Sequence, residues 1–177
     1  MSCITTYTGI HIDPTAPEPE QFDIRDIAHA LSLICRGNGH VKTFFSVGQH
    51  CIWCCREALA RGLSRETALA CLLHDASEAY LSDVPRPFKQ TLPAYREYED
   101  RLLFSLYLRF LGRALTDEEA AAVKEIDDAV LYYDLRDLLS DPPDGPAPAL
   151  KVPPDYSSRP FRETEETYLS LFHSLSS

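Results

Sequence analysis

Long apolar runs are missing from this sequence. No stretch approaches the roughly 20 residues that span a bilayer, and the N-terminus has no charged segment followed by an apolar core of the kind that directs secretion. We therefore expect a soluble, cytoplasmic chain without a membrane partner. Basic residues are also scarce: 17 Lys and Arg stand against 27 Asp and Glu, a net charge of −10. That balance argues against a nucleic-acid polymer as partner, because a phosphate backbone needs a basic surface. An anionic small molecule would need its positive groups gathered locally. A disulfide framework is absent as well, since three of the six cysteines cluster in CIWCC and Cys3, Cys35 and Cys71 stand apart. Cys51-x-x-Cys54 has no second pair at a ligand-like spacing, so we read it as helix packing. Alternation of strands and helices is missing too, which excludes a doubly wound sheet.

What is present is a hydrophobic fraction of 45% over 177 residues, enough for one domain, 1–177, with a real core. TTYTG and the proline-broken PTAPEPE predict a short N-terminal strand or hairpin followed by a loop. Asp23 can cap a helix whose apolar positions Ile24, Ile27, Ala28, Leu31, Ile34 and Cys35 follow the 3.6-residue period, with Gly37 as a stop. That delivers Arg36 at a helix end. Ser46 and Gln49 form a capping box for a helix from Val47 to Arg61, with His50 in its first turn. Ser64 opens the next helix, which we expect to run on through His74 and end before Pro85. Thr91 to Leu111 reads as a long amphipathic helix, and Thr116 with Glu119 caps another that extends to about Leu139. Residues 141–160 hold seven of the 13 prolines and predict a surface loop or wrapping arm, before a last helix from Arg162 to Ser174. The sum is an all-α domain of about six helices.

The stretch LLHDASEAYLSDVPRPFK, Leu72 to Lys89, departs from plain packing. On a continuous helix His74 and Glu78 share a face, and Asp75 lies about 100° around from His74. The preceding ALACLL is apolar on every face, so the helix is expected to be buried, where an acid without a partner is costly. Asp127 is a second anomaly, a carboxylate on the stripe of Val123, Val130, Leu131 and Leu138; it reads either as a buried ion pair or as a metal ligand. Asp128, one residue on, is the fallback ligand. With His50, the set His50, His74, Asp75 and Asp127 draws two imidazoles and two carboxylates from three helices. Such a field suits Mn²⁺, Fe²⁺, Co²⁺, Ni²⁺ or Zn²⁺ and leaves room for water and a phosphate oxygen. A divalent ion there would acidify a water and draw charge from a phosphoryl group.

The order His50, His74-Asp75 and the aspartate of VKEID, together with DIAHALSLICR, FFSVGQH and LLHDASEAYLSDVPRPFK, resembles the HD-domain metal-dependent phosphohydrolases over nearly the whole chain. Within them it is similar to the bacterial 5′-deoxynucleotidase and phage-type dATP triphosphohydrolase branches. These share an arginine upstream of the first histidine, a glutamate three residues after HD and a D-x-P-x-P-x-K segment, here Arg36, Glu78, and Asp83 to Lys89. The resemblance implies an all-helical fold with one divalent ion held by His50, His74, Asp75 and Asp127, and further Mg²⁺ carried on the substrate. Glu78 would be the acid/base group, Arg36, Lys89 and Lys124 the phosphate contacts, and Asp83 a sugar contact. It implies hydrolysis of a (deoxy)nucleotide, either a 5′-monophosphate or a triphosphate. The alternatives are a nucleotide- or metal-binding sensor without turnover, and a nucleotide phosphodiesterase. Where the related branches carry an aromatic after the arginine, this chain has Gly37-Asn38-Gly39-His40, a flexible loop. The helices containing YREYEDRLLFSLYLRF and TYLSLFHSL show more apolar surface than one small core needs, which predicts a homo-oligomer.

Overall fold

The computed structural model describes residues 3–176. A hairpin of β1 (Ile4–Thr5) and β2 (His11–Ile12) opens the chain, with Ile4 opposite Ile12. The principal elements after it are helices: α1 (Ile24–Leu33), α2 (Val47–Ala60), α3 (Arg65–Leu73), the single turns α4 (Glu78–Leu81) and α5 (Arg86–Lys89), α6 (Pro93–Leu111), α7 (Asp117–Tyr133) and α8 (Phe161–Ser176). The architecture is all-α, and no helix among the described residues is long and apolar enough to cross a membrane.

The helix starts follow from local chemistry. The side chains of Asp23, Ser46, Ser64 and Thr116 each accept a hydrogen bond from an amide of the first turn they precede, and Ser46 with Gln49 and Thr116 with Glu119 complete reciprocal capping boxes. Helix α2 is the hub, packing on α1, α3, α7 and α8. It is buried nearly all round, from Val47 through Cys55, as a helix at the centre of a core must be. Gly48 permits the closest approach, since a Cβ there would stand 3.2 Å from the Leu31 carbonyl and from Thr164 Cγ2. On α6 the core takes Leu102 and Leu106, while Phe104 and Leu108 stay exposed.

Three stretches depart from the expected helices. Helix α1 stops at Leu33 rather than reaching Cys35: Ile34 is extended, and Cys35 pairs with Ser46 through a short bridge in which the Arg36 amide donates to the Phe45 carbonyl at 2.9 Å. The helix that begins at Ser64 does not continue through His74. From His74 the backbone turns more tightly, the Ala76 amide donating to Leu73 at 2.9 Å and the Glu78 amide to Asp75 at 3.0 Å. Such i to i+3 bonding brings residues three apart onto one side, so Asp75 aligns with Glu78, not His74 with Glu78. Helix α7 widens into a π turn over Asp134–Leu138.

Residues 141–160 have no regular structure and wrap as an arm across α2 and α7. Glu57, fully buried on α2, holds this arm: its carboxylate accepts from the Lys151 amide at 2.9 Å, the Val152 amide at 2.8 Å and Arg61 Nε at 2.7 Å. Trp53 Nε1 donates to the Val152 carbonyl at 3.0 Å beside it. Burial works to raise the Glu57 pKa, and Arg61 with the two amides outweighs it, so the folded carboxyl titrates below its ordinary value. Its contribution is therefore complete above the ordinary carboxylate range and is lost as pH falls through the lowered value. We expect Glu57→Gln to destabilise the protein by about 1–3 kcal/mol at neutral pH, read as a lower urea midpoint. The gap between variant and wild type should begin to close as the pH drops below about 4 and disappear below the lowered value; a gap that stays constant well below that onset would remove the carboxylate from the account.

Candidate metal centre

His50 from α2, His74 and Asp75 from the tight turn after α3, and Asp127 from α7 converge at one point. His50 Nε2 lies 3.0 Å from Asp127 Oδ1 and 3.8 Å from Asp75 Oδ2. His74 Nε2 lies 3.3 Å from Asp75 Oδ2 and 3.6 Å from Asp127 Oδ1. The packing of α2 against α3 and α7 sets this convergence. The His50 side chain is wholly buried and that of His74 is 8% exposed.

The orientation of each ring follows from what its other nitrogen meets. His74 Nδ1 is 2.8 Å from the Cys71 carbonyl, which can only accept, so Nδ1 carries the proton and Nε2 turns a lone pair toward the carboxylates. That Nε2 is buried and has no hydrogen-bond partner. His50 Nδ1 faces Asp134 Oδ2 at 3.2 Å, an ion-pair distance without hydrogen-bond alignment, and its Nε2 is in hydrogen-bond contact with Asp127 Oδ1 at 3.0 Å. An imidazole held by a carboxylate or carbonyl behind it, with its free nitrogen aimed at further carboxylates, is the arrangement of a metal-ligating histidine. The cluster demands a positive charge at its centre, either an ion or protons on the rings. Without an ion, burial opposes charge on His74, but Asp75, Cys51 and Asp127 outweigh it and hold its pKa well above the ordinary imidazole value. Burial likewise works to raise Asp127, and the two imidazoles hold it far below the carboxylate range. Two overlapping groups of donor atoms can hold a metal ion, His50 with Cys54 and His74, and Cys51 with His74 and Asp75. The residues present thus fit a metal ion.

Asp75 and Asp127 also line a cavity of about 530 Å³, with Arg36, Glu78, Asp83, Arg86 and Lys89 around it and Val41, Leu131, Leu135 and Leu139 as apolar wall. Its size falls in the roughly 300–1,000 Å³ of small-molecule sites. Glu78 is 3% exposed, its Oε2 has no hydrogen-bond partner, and its Oε1 lies 3.9 Å from Lys89 Nζ. Burial, then the charges of Asp75 and Asp83, push its pKa well above the usual value against the pull of Arg36 and Lys89. It is thereby disposed to hold a proton that it can give up. Asp83 Oδ2 accepts from the Gly37 amide at 3.1 Å, which ties the turn after α4 to the Gly37 loop. Lys89 reaches the cavity while paired to Glu99 at 2.6 Å.

Lys124 is not brought there. It is 70% exposed and pairs with Asp128, whose Oδ1 takes Arg86 at 3.1 Å. Asp128 itself is 41% exposed and makes no contact with either histidine among the ion pairs of the site. Asn38 and His40 are exposed and do not line the cavity, whereas Gly37 does.

Several residues of the site were not anticipated. Asp134 is buried and bridges Arg36 at 3.4 Å, His50 and the Tyr156 hydroxyl at 3.0 Å. The available signal was its position seven residues after Asp127, two turns along the same stripe. Arg86 spans Asp127 and Asp128 at 3.1 Å each. Cys54, one turn after His50, sets its sulfur 3.6 Å from His50 Nε2.

Fold and site define an all-α protein with a buried imidazole–carboxylate centre at the edge of a small-molecule cavity. The chain belongs to the family of the uncharacterized protein YfdR of Escherichia coli (strain K12), with which it is 35% identical over 138 residues, 78% of this chain and 73% of that protein. It is also 37% identical over 127 residues to the uncharacterized protein RCAP_rcc00048 of Rhodobacter capsulatus, covering 68% of this chain and 64% of that relative. No family model matches the sequence.

Proposed function

We propose that this protein is an HD-type, metal-dependent phosphohydrolase acting on (deoxy)nucleotides, as a 5′-deoxynucleotidase or a triphosphohydrolase. The observation that carries this reading is the meeting, at one cavity, of the His50–His74–Asp75–Asp127 cluster with Arg36, Arg86, Lys89 and a protonatable Glu78. His50, His74, Asp75 and Asp127 would hold the ion, which would supply Lewis-acid polarisation of a phosphoryl oxygen and acidification of a water. The rest falls to the chain. Arg36 offers a planar fork to phosphate oxygens, and Arg86 and Lys89 add charge at the cavity wall. Glu78 stands beside Asp75 to donate its proton to the leaving oxygen. Val41, Leu131, Leu135 and Leu139 provide apolar surface for the non-phosphate part of the substrate and exclude water from that side.

The test is release of phosphate, pyrophosphate and triphosphate from a panel of ribo- and deoxynucleoside mono-, di- and triphosphates with Mn²⁺, Co²⁺, Zn²⁺, Mg²⁺ or EDTA. We expect release from one substrate class, abolished by EDTA. Glu78→Gln should lower it by about 10²–10⁴-fold while the metal content stays at the wild-type level. Silence across the panel with metal bound would sink the reading, and release only from nucleotide diesters would replace it with a phosphodiesterase.

A further inference from the structure

Within this proposed metal centre, one buried donor remains outside the imidazole–carboxylate set. Cys54 is 1% exposed and sits on α2 four residues, about one turn, after His50, so both side chains leave the helix on the same face. Its sulfur is 3.6 Å from His50 Nε2, and sulfur, His50 and His74 donors all lie within 4.8 Å of one another. Two ligands bound to one zinc-class ion, at about 2.3 Å for sulfur and about 2.1 Å for nitrogen, stand about 3.6 Å apart at a tetrahedral angle. The spacing is that of ligands sharing an ion. The second observation is independent of the thiol: His74 Nε2, on a side chain 8% exposed, has no hydrogen-bond partner and opens into the same space.

We propose that Cys54 is a further ligand of the ion held by His50 and His74, and that its sulfur selects a thiophilic metal, Zn²⁺, Co²⁺ or Fe²⁺, over Mg²⁺ and Mn²⁺. Thiolate is a soft donor that binds those ions strongly and adds to the bias the two imidazoles already give, whereas carboxylates suit Mg²⁺ and Mn²⁺. Formation of the metal–sulfur bond displaces the thiol proton, which leaves to solvent, so each ion bound releases one proton from Cys54. Cys51, the neighbouring thiol of the second donor group, approaches from the His74 and Asp75 side and serves as the internal control.

This inference rests on the metal reading above, and cobalt separates the two. Full-length protein stripped with chelator and reloaded with Co²⁺ is expected to bind one ion per chain and to show a near-ultraviolet sulfur-to-cobalt charge-transfer band. The band should vanish in Cys54→Ser and persist in Cys51→Ser, with visible cobalt absorption retained in both. In competition, Cys54→Ser should lose at least about tenfold of the wild-type preference for Zn²⁺ over Mn²⁺. One bound cobalt in the wild type without the band overturns Cys54 as a ligand and leaves the metal centre standing. Failure of the wild type to bind cobalt overturns both. Absence of the band in the wild type is by itself enough to overturn the proposal, and a band that is present is assigned by comparing Cys54→Ser with Cys51→Ser.

Discussion

Asp127→Ala is expected to empty the metal centre and to reduce phosphate release at least about a thousandfold. Among the described residues its Oδ1 is the one carboxylate oxygen within 3.6 Å of both His50 Nε2 and His74 Nε2. Removing it takes away a negative donor and the group that fixes the two rings relative to each other. An ion supplies several kcal/mol of charge stabilisation in phosphoryl transfer, and each 1.4 kcal/mol or so is a factor of ten in rate. Metal analysis after dialysis and a phosphate-release assay read the two effects separately. Asp127→Asn keeps the shape and loses the charge, so it should bind metal weakly and recover little activity. Unchanged metal content in Asp127→Ala would remove this residue from the centre. The substitution also leaves Arg86 without one of its two partners, Asp128 being the other, which is a minor cost because the Arg86 side chain is 53% exposed.

Arg36→Ala is expected to cost about 3–5 kcal/mol of stability as well as activity. The guanidinium is 13% exposed and lies 3.4 Å from Asp75 Oδ2 and 3.4 Å from Asp134 Oδ2. Without it, Asp134 keeps only His50 and the Tyr156 hydroxyl, in a setting where an uncompensated carboxylate cannot reach water. Loss of the arginine therefore acts through the second carboxylate behind His50, and so on the orientation of the ring that faces the centre. Arg36→Lys retains the charge and loses the fork, and should recover part of the stability but little of the phosphate binding. Chemical denaturation and KM for the best substrate of the panel measure these outcomes. A denaturation midpoint unchanged in Arg36→Ala would show that the buried cluster does not depend on this residue.

The helices were legible because their signals are local. A cap needs a side chain and an amide two or three residues apart, and Asp23, Ser46, Ser64 and Thr116 carry that information in the sequence. So do the apolar stripes and the proline-rich arm. The gathering of His50, His74, Asp75 and Asp127 was also legible, because charged or imidazole side chains on otherwise apolar faces must find partners inside the fold. Tertiary structure decided the rest. It broke the third helix at His74, which aligned Asp75 with Glu78 where helical spacing had paired His74 with Glu78. It placed Lys124 outside the cavity and Arg86 beside it, though both are basic residues near predicted ligands. It put Asp134 behind His50, 84 positions away in sequence, and the Cys54 sulfur beside the same ring, where sequence spacing alone had pointed to packing. Periodicity states which residues share a face of one helix, whereas the depth and angle at which α2 seats between α3 and α7 depend on the complementary shapes of side chains far apart in the chain.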